Sequence, residues 1–519
     1  MAPWECACQV TISASAKGML EPTIFSFSDR PRTISRPVLL IAASLASLLL
    51  LLALNNHPSL LVVTIVAVAV PATLLYGVTY TSRHNEWLVF ALVLLFLLID
   101  ISFFGDKVRA LFHYGALALL CLPVLPKVRR SGILRTGGFR LYTIYFVWAA
   151  ITIAYSLAPI YSLARLIEAV LVMIALVACV LDIRDPDDAT RLLLRFLMAC
   201  GIILIMLAVA SVVLPHSFAW QSALESYSPD ELIAMSKAGI RVGGLDRFRG
   251  LFNGPNDLGT LMLIVVGTAL VRWQAAAQRE RLMLAAMIAV ALGFDVLADS
   301  RSPFVAIAVG CALYATWKWG TRGVLLCMGA LVLAAALALH EGMFAYIGRG
   351  DVSTLTGRTD IWAYVIQKIR EQPILGYGYE TSGTIFQSKY FPLWWGPWDL
   401  GPHSSLHNGY LGHAIGIGLP ATAFWLYIIL RPWIFALRQK EDPWNLKPIL
   451  FFIVIPILIN NVSEQLLGDF GGGAVALLFG LVWAIAERYR LLALERIKTE
   501  QKAELAALPK AVGALASAR

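Results

Sequence analysis

The chain has 519 residues, of which 59% are hydrophobic and only 14% are charged, and its net charge is +9. A soluble domain averages about 25% charged residues. The apolar residues fall in blocks of roughly 17–22, the length that a helix needs to cross about 30 Å of hydrocarbon. The basic residues lie in short loops between the blocks, a topology pattern that argues against nucleic-acid binding. The composition therefore predicts one helical membrane domain instead of several soluble domains.

Taken in chain order, the apolar blocks predict an all-α polytopic membrane protein with about 12–14 transmembrane helices. The first block follows three arginines and has no small-residue cleavage pattern behind it, so we interpret it as a membrane helix and not as a signal peptide. The predicted spans are 37–54, 59–80, 87–104, 109–126, 140–157, 163–181, 194–214, 256–271, 282–298, 302–317, 322–339, 408–430, 447–462 and 471–487.

Lysine and arginine are concentrated in alternate loops between these spans. Loops on the cytoplasmic side of a membrane carry an excess of these residues, so we assign this set of loops and both termini to the inside. The predicted organisation is a cytoplasmic segment 1–36, a membrane domain 37–487 and a cytoplasmic tail 488–519. The outside loops are mostly short, except for 215–255 and 340–407. Connections this long are unusual and often functional.

A turn rich in Gly and Pro leads from the first long loop into a span. Arg247 and Arg249 flank Phe248, so both would point to one face of an extended chain. Asn256 or Asp257 could cap the helix that follows, whose N-terminus adds partial positive charge. This combination would suit a pyrophosphate. The alternative is an interfacial turn whose arginines contact lipid headgroups.

A second arginine, Arg301, lies in the short outside hairpin Asp299-Ser300-Arg301-Ser302-Pro303. An arginine at the end of a membrane helix is costly unless it is paired or reaches water. Asp295 and Asp299 are candidate partners for it. Two interpretations remain open here, a structural ion pair and contact with an anionic ligand.

A third arginine, Arg358, begins a stretch in which Ile361, Val365 and Ile369 recur every fourth residue. This spacing predicts a short amphipathic helix that ends before Pro373. We expect the helix to lie over the mouth of the helix bundle, partly in the membrane interface.

His407 and Asn408 lie where the second long loop enters a span, on the same side as these arginines, and we interpret them as a His-Asn pair that caps this helix. A neutral imidazole can take a proton from a sugar hydroxyl, so His407 is a candidate base. His403 and His413 are interpreted as structural. Glu464, in another outside hairpin, could orient His407, pair with an arginine or simply be solvated.

These motifs resemble those of the O-antigen ligase and polymerase superfamily of bacterial envelope proteins. The motif that contains Arg358 is most similar to that of exopolysaccharide polymerases of the ExoQ type. The resemblance covers roughly residues 240–485 and rests on Arg247-Phe-Arg249-Gly-Leu-Phe-Asn-Gly-Pro-Asn256-Asp-Leu-Gly, Ser300-Arg301-Ser302, Gly357-Arg358-Thr-Asp-Ile-Trp362 with Pro373-Ile-Leu-Gly-Tyr-Gly, and His407-Asn408-Gly-Tyr-Leu.

The resemblance implies a GT-C-like glycosyltransferase of the bacterial inner membrane, independent of metal and cofactor, with its active site facing the periplasm. Its donor would be an undecaprenyl-pyrophosphate glycan, and membrane lipids and a chain-length regulator or other polysaccharide-assembly protein would be its other partners. The implied catalytic residues are His407, Arg301 and Arg358. The expected substrate-binding residues are Arg247 or Arg249, Asn256, Asn408, Trp362 and Glu464.

Three hypotheses follow. A polymerase would add the donor glycan to another sugar, and a ligase would transfer it to lipid A core or a protein. A transporter for an anionic lipid would need charges in mid-span and gates on both sides. The notable charges lie instead at one face, with Asp295 as a partial exception.

Overall fold

The computed structural model describes residues 114–115, 117–183, 247–250, 254–338, 358–385, 406–467 and 473–517, together with isolated residues between 185 and 252. The predicted spans 37–54, 59–80 and 87–104 lie outside the described residues, as does most of 194–214.

The described residues are mostly helical. Two short strands, β1 (Trp220–Gln221) and β2 (Arg247–Phe248), pair antiparallel near the two ends of the first long loop. The helices are α1 (Leu125–Ser131), α2 (Gly137–Ile153), α3 (Pro159–Val180), α4 (Pro255–Trp273), α5 (Gln278–Leu297), α6 (Arg301–Trp319), α7 (Thr321–Ala338), α8 (Arg358–Glu371), α9 (Gly409–Ile417), α10 (Leu419–Arg438), α11 (Leu446–Asn460, with a π-helical turn at Leu450–Val454) and α12 (Ala474–Ser517).

Most predicted spans within the described residues coincide with a helix. By length and composition, α3 and α10 are apolar enough to cross a membrane, and α2 and α11 are shorter apolar helices. Single helices coincide with the predicted spans 140–157, 163–181, 256–271, 282–298, 302–317, 322–339 and 447–462. The described part of the predicted span 109–126 is not one helix, because a turn at 122–124 precedes α1. The last span, 471–487, continues without a break into the tail as the 44-residue helix α12.

The predicted span 408–430 is wrong as a single helix, because Gly418 divides it into α9 and α10. Gly418 has φ +85°, and a Cβ there would overlap the carbonyl oxygen of Ile374. The segment after α8 fills the break and satisfies backbone groups that the interrupted helix leaves unpaired. Its hydrogen bonds are Leu419 N to Pro373 O at 2.8 Å, Tyr377 N to Ile415 O at 2.9 Å and Gly378 N to Gly416 O at 2.8 Å.

The amphipathic helix predicted from the Ile361, Val365 and Ile369 spacing is confirmed as α8. Val365 and Ile369 are buried and Ile361 is partly buried, in a cluster that includes Leu406 and Ile415. The apolar stripe therefore packs against α9 and the residue just before His407. Together with the segment that fills the helix break, this packing fixes α8 to α9.

Helices α4, α5 and α6 pack against one another, and α6 and α4 both contact α11. Elsewhere α2 packs on α10, and α12 contacts α3 and α10. Glu487 of α12 is buried and its Oε1 accepts a hydrogen bond of 2.6 Å from the Gly138 backbone N–H, which ties α12 to the first turn of α2. The starts of α4, α6, α8 and α9 and the ends of α5 and α11 meet in the group of side chains described next.

Candidate active site

Glu464 lies at the centre of a hydrogen-bonded group in the turn after α11. Its Oε1 accepts hydrogen bonds from Arg358 Nη2 and from Asn256 Nδ2, each at 2.9 Å, and its Oε2 lies 3.0 Å from His407 Nδ1. Arg247 joins through Asn256, because its Nη2 donates to Asn256 Oδ1 at 2.6 Å. We call these five residues the Glu464 cluster. Glu464 thus contacts both His407 and an arginine, the two partners expected for it.

Arg358 is the first residue of α8 and is largely buried, with 19% of its side chain exposed. In addition to its ion pair with Glu464, its Nη1 donates to the Ser463 carbonyl oxygen at 2.6 Å. Arg358 therefore grips two consecutive residues of the turn after α11. Hydrogen bonds between charged groups are roughly twice as strong as neutral ones, so this contact fixes α8 to that turn.

His407 has a left-handed backbone with φ +49°, which is uncommon for a residue other than glycine. Trp362 Nε1 donates to the Leu406 carbonyl oxygen at 3.1 Å, and this contact holds the residue that precedes His407. Asn408, which follows, is the N-cap of α9 and accepts a hydrogen bond of 3.0 Å from Leu411 N, as the sequence predicts. The packing on both sides thus stabilises an unfavourable conformation that turns the imidazole toward Glu464.

Arg247 is held by the hairpin between α5 and α6 as well as by Asn256. Its Nε donates to the Ala298 carbonyl oxygen at 2.9 Å and its Nη2 to that of Asp299 at 3.3 Å. Of the two arginines in this motif, Arg247 joins the cluster through these contacts, and Arg249 is a half-buried neighbour two residues further on.

Several charges surround the Arg247 guanidinium. Burial lowers the pKa of Arg247, the charges of Asp299 and Glu464 oppose that shift, and those of Arg358 and Arg301 reinforce it. The arginines of all three predicted motifs therefore share one electrostatic environment. Such an arrangement favours an anion with more than one negative charge.

Asn256 does not cap α4, which corrects one of our predictions. The N-cap is Gly254, with Pro255 in the first turn, and Asn256 bridges Arg247 and Glu464. Asp257 accepts a hydrogen bond from the Gly254 backbone N–H. The reason is that proline at the first helical position shifts the start of the helix, so the asparagine side chain points sideways into the cluster.

Arg301 begins α6, and 35% of its side chain is exposed. Its Nε lies 3.6 Å from Asp299 Oδ1, longer than a hydrogen bond. Asp299, like His407, has a positive φ of 49°. Of the two carboxylates predicted to pair with Arg301, Asp299 makes this contact, whereas Asp295 is buried in α5.

The other histidines differ from His407. His413 is buried in α9 with its Nε2 3.0 Å from the Tyr145 hydroxyl, which confirms its structural interpretation. His403 lies outside the described residues. His407 is 35% exposed, so it is both oriented by the protein and accessible.

Sequence comparison identifies the surrounding region. Residues 284–426 match the family described as O-antigen ligase. Over this region the chain is similar to O-antigen ligases. A curated O-antigen ligase of Pseudomonas aeruginosa is 27% identical over 186 residues, which are 34% of this chain and 42% of that protein.

Three of the four motifs lie within the matched residues, which agrees with the resemblance that they carry. The chain matches less than half of the length of that curated O-antigen ligase. The family match includes Arg301, Arg358 and His407, whereas Arg247 and Glu464 lie outside it.

Sequence reasoning missed the supports of the cluster. Ser463 contributes a backbone carbonyl, and Asn460 and Asn461 are fully buried beneath Glu464. Two adjacent asparagines in an otherwise apolar span were the available signal, because buried amides need partners. Arg247 is also held by the backbone carbonyl oxygens of Ala298 and Asp299, and backbone acceptors leave no signal in the sequence.

Proposed function

We propose that this protein transfers a glycan from an undecaprenyl-pyrophosphate donor to a sugar hydroxyl at the periplasmic face of the inner membrane. The observation that carries the proposal is that one carboxylate, Glu464, holds both a histidine and an arginine that lie in superfamily motifs. The first provides a base, and the second provides positive charge for a departing pyrophosphate. Glycan transfer without a metal needs both the base and the positive charge.

His407 would act as the base through Nε2. When Nδ1–H donates a hydrogen bond to Glu464 Oε2, Nε2 carries the lone pair that can accept a proton from a hydroxyl. Glu464 fixes this tautomer and stabilises the imidazolium that forms. A carboxylate has the same role in the Ser-His-Asp arrangement, although the nucleophile here is the acceptor hydroxyl.

In the reaction, the acceptor oxygen forms a bond to the anomeric carbon of the donor, and the bond from that carbon to the pyrophosphate oxygen breaks. The hydroxyl proton passes to His407, and the electron pair of the broken bond leaves on undecaprenyl pyrophosphate. Arg301, Arg358 and Arg247 would neutralise the charge that grows on this leaving group. The shared environment of their guanidinium groups supports this role.

The periplasmic orientation is supported by the charges at the other ends of the same helices. Helices α4, α5, α6 and α10 each have one end near the cluster or near α9, and basic residues follow at the opposite ends. An excess of lysine and arginine is typical of cytoplasmic loops. These residues are Arg272, Arg279, Arg281, Lys318 and Arg438.

The acceptor distinguishes two versions of the function. In the first, a polymerase, the acceptor is another lipid-linked glycan, and the similarity of the α8 motif to ExoQ-type polymerases favours this version. In the second, a ligase, the acceptor is lipid A core or a protein. The match to a curated O-antigen ligase favours the second.

The test uses the full-length protein reconstituted with undecaprenyl-pyrophosphate oligosaccharide, with and without lipid A core. A polymerase should give a ladder of longer glycans from the donor alone, and a ligase should give product only when lipid A core is added. The double variant R301A/H407A should give no product in either reaction. Undiminished product from that variant, or no transfer by the wild-type protein to either acceptor, would contradict the proposal.

A further inference from the structure

The turn that carries Glu464 begins at two adjacent asparagines, Asn460 and Asn461, both fully buried. The Asn460 carbonyl oxygen accepts hydrogen bonds from Ser463 N at 3.0 Å and from Glu464 N at 2.9 Å. The backbone position of Glu464 is therefore set from Asn460. Buried amide side chains of this kind are costly unless paired, and when paired they specify one arrangement.

Asn460 ties this turn to α4. Its Nδ2 donates to Thr260 Oγ1 at 3.0 Å, and Thr260 Oγ1 in turn donates to the Asn256 carbonyl oxygen at 2.9 Å. Asn256 is the residue of α4 whose side chain binds Glu464. Asn460 is therefore linked through the Thr260 hydroxyl to Asn256, the residue whose side chain also binds Glu464.

Asn461 ties the turn to α9. Its carbonyl oxygen accepts a hydrogen bond of 2.9 Å from Gly409 N, two residues after His407. Its Oδ1 accepts hydrogen bonds from Leu466 N at 3.0 Å and from Leu467 N at 2.9 Å, which fixes the backbone just after Glu464. One residue thus fixes both the segment that follows His407 and the segment that follows Glu464.

Glycine at position 409 allows this close contact. A Cβ on Gly409 would overlap Asn461 Oδ1, so a larger residue requires the Asn461 side chain or the start of α9 to shift. Gly412 lies one turn further along the same helix. A Cβ there would come within 3.1 Å of Gln465 Nε2, the end of a flexible side chain that can move.

We propose that Asn460 and Asn461 are positioning residues that hold Glu464 between Asn256 and His407, with the Asn461–Gly409 contact setting the separation of His407 from Glu464. The inference rests on the proposed function and extends it to residues outside the superfamily motifs. Neither asparagine is proposed to touch the substrate, and both act through Glu464 and His407.

The first experiment compares G409A with G412A, since both place alanine in α9 and change helix propensity in the same direction. We expect G409A to lower kcat at least tenfold with the donor KM within twofold of wild type, and G412A to stay within twofold in both. N461A, which keeps the backbone contact with Gly409 but removes the acceptor of Leu466 N and Leu467 N, should also lower kcat. Thermal unfolding in detergent should show that each variant is folded, and N460S, which keeps a polar group, should lose less activity than N460A.

The second experiment places G409A on the E464Q background, in which the side-chain shape is kept and the carboxylate is lost. If the contact acts through Glu464 and His407, the further loss should be below twofold instead of tenfold. A full additional loss, or equal kcat for G409A and G412A, would overturn the positioning role. The wild-type rate tests the proposed function separately, so an active wild type with additive variants would refute this inference alone.

Discussion

The starts of α6 and α8 both carry an arginine near Glu464, but the two arginines are held differently. Arg358 is 19% exposed and makes two short hydrogen bonds to the turn after α11. Arg301 is 35% exposed, and its ion pair with Asp299 is 3.6 Å long. The contrast indicates two tasks for the same side chain. In the proposed mechanism, Arg358 organises the site through its planar fork, and Arg301 offers charge to a ligand.

The way in which an arginine is held also affects the entropy that it loses when substrate binds. A side chain that is already fixed, as Arg358 is by its two hydrogen bonds, loses little entropy when substrate binds. The group around Glu464 is in this sense organised in advance, which favours stabilisation of a transition state. We expect substitutions around Arg358 to alter the geometry of His407, and substitutions of Arg301 to alter the binding of the donor.

The largest effect is expected at Glu464, where the two sides meet. E464A removes the partner of His407 Nδ1 and leaves Arg358 without its carboxylate, and we expect kcat to fall by about 10³-fold or more. E464Q should be similarly severe, because an amide nitrogen facing His407 Nδ1 favours the tautomer in which Nε2 is protonated and cannot accept a proton. Single-turnover transfer from the lipid-linked donor measures both variants. A loss of less than tenfold in E464A would remove Glu464 from the mechanism.

Arg301 should show the next largest effect. R301A is expected to lower kcat/KM by about 10²–10³-fold, because a charge that stabilises the leaving group is lost. Part of the loss should appear as a higher donor KM, measured by varying the lipid-linked glycan at fixed acceptor. A normal donor KM together with a normal kcat would show that the ion pair with Asp299 is merely structural.

Lysine substitutions sharpen the comparison of the two arginines. Lysine keeps the positive charge but loses the planar fork. R358K should therefore lose about tenfold in kcat, since one ammonium group replaces two differently directed contacts to Ser463 and Glu464. R301K should retain most of the activity that R301A loses. The reverse order, measured in the same transfer assay, would exchange the roles assigned to the two residues.

The smallest effect is expected at Trp362. W362F removes the hydrogen bond to the Leu406 carbonyl oxygen while keeping an aromatic ring, and one such bond contributes about 1 kcal/mol. We expect a lower thermal unfolding midpoint and a loss of no more than about fivefold in kcat, from looser positioning of His407. A donor KM raised more than the kcat is lowered would instead indicate that Trp362 contacts the substrate.

Much of this arrangement could be predicted from local sequence rules. The fourfold spacing of Ile361, Val365 and Ile369 predicts α8, and Asn408 before a helix predicts the cap that is present. Motifs with charged residues at helix starts on one side of a membrane also predict that Arg301, Arg358 and His407 approach one another.

The remainder depends on tertiary contacts that local rules do not contain. The break at Gly418 is hidden because both flanking segments are apolar, and only the loop from Pro373 to Gly378 makes it favourable. The bridging role of Asn256 competes with the capping role that its position suggests. The left-handed backbone of His407 likewise follows from its neighbours and not from its own preference.

Helix α12 leads from the neighbourhood of the site to the tail that the proposed topology places in the cytoplasm. Its 44 residues, at about 1.5 Å per residue, extend about 66 Å, roughly twice the thickness of the hydrocarbon. It begins a few residues after the turn that carries Glu464 and is anchored to α2 through Glu487. In the proposed topology, the distal turns of α12 therefore extend beyond the hydrocarbon on the side away from the site.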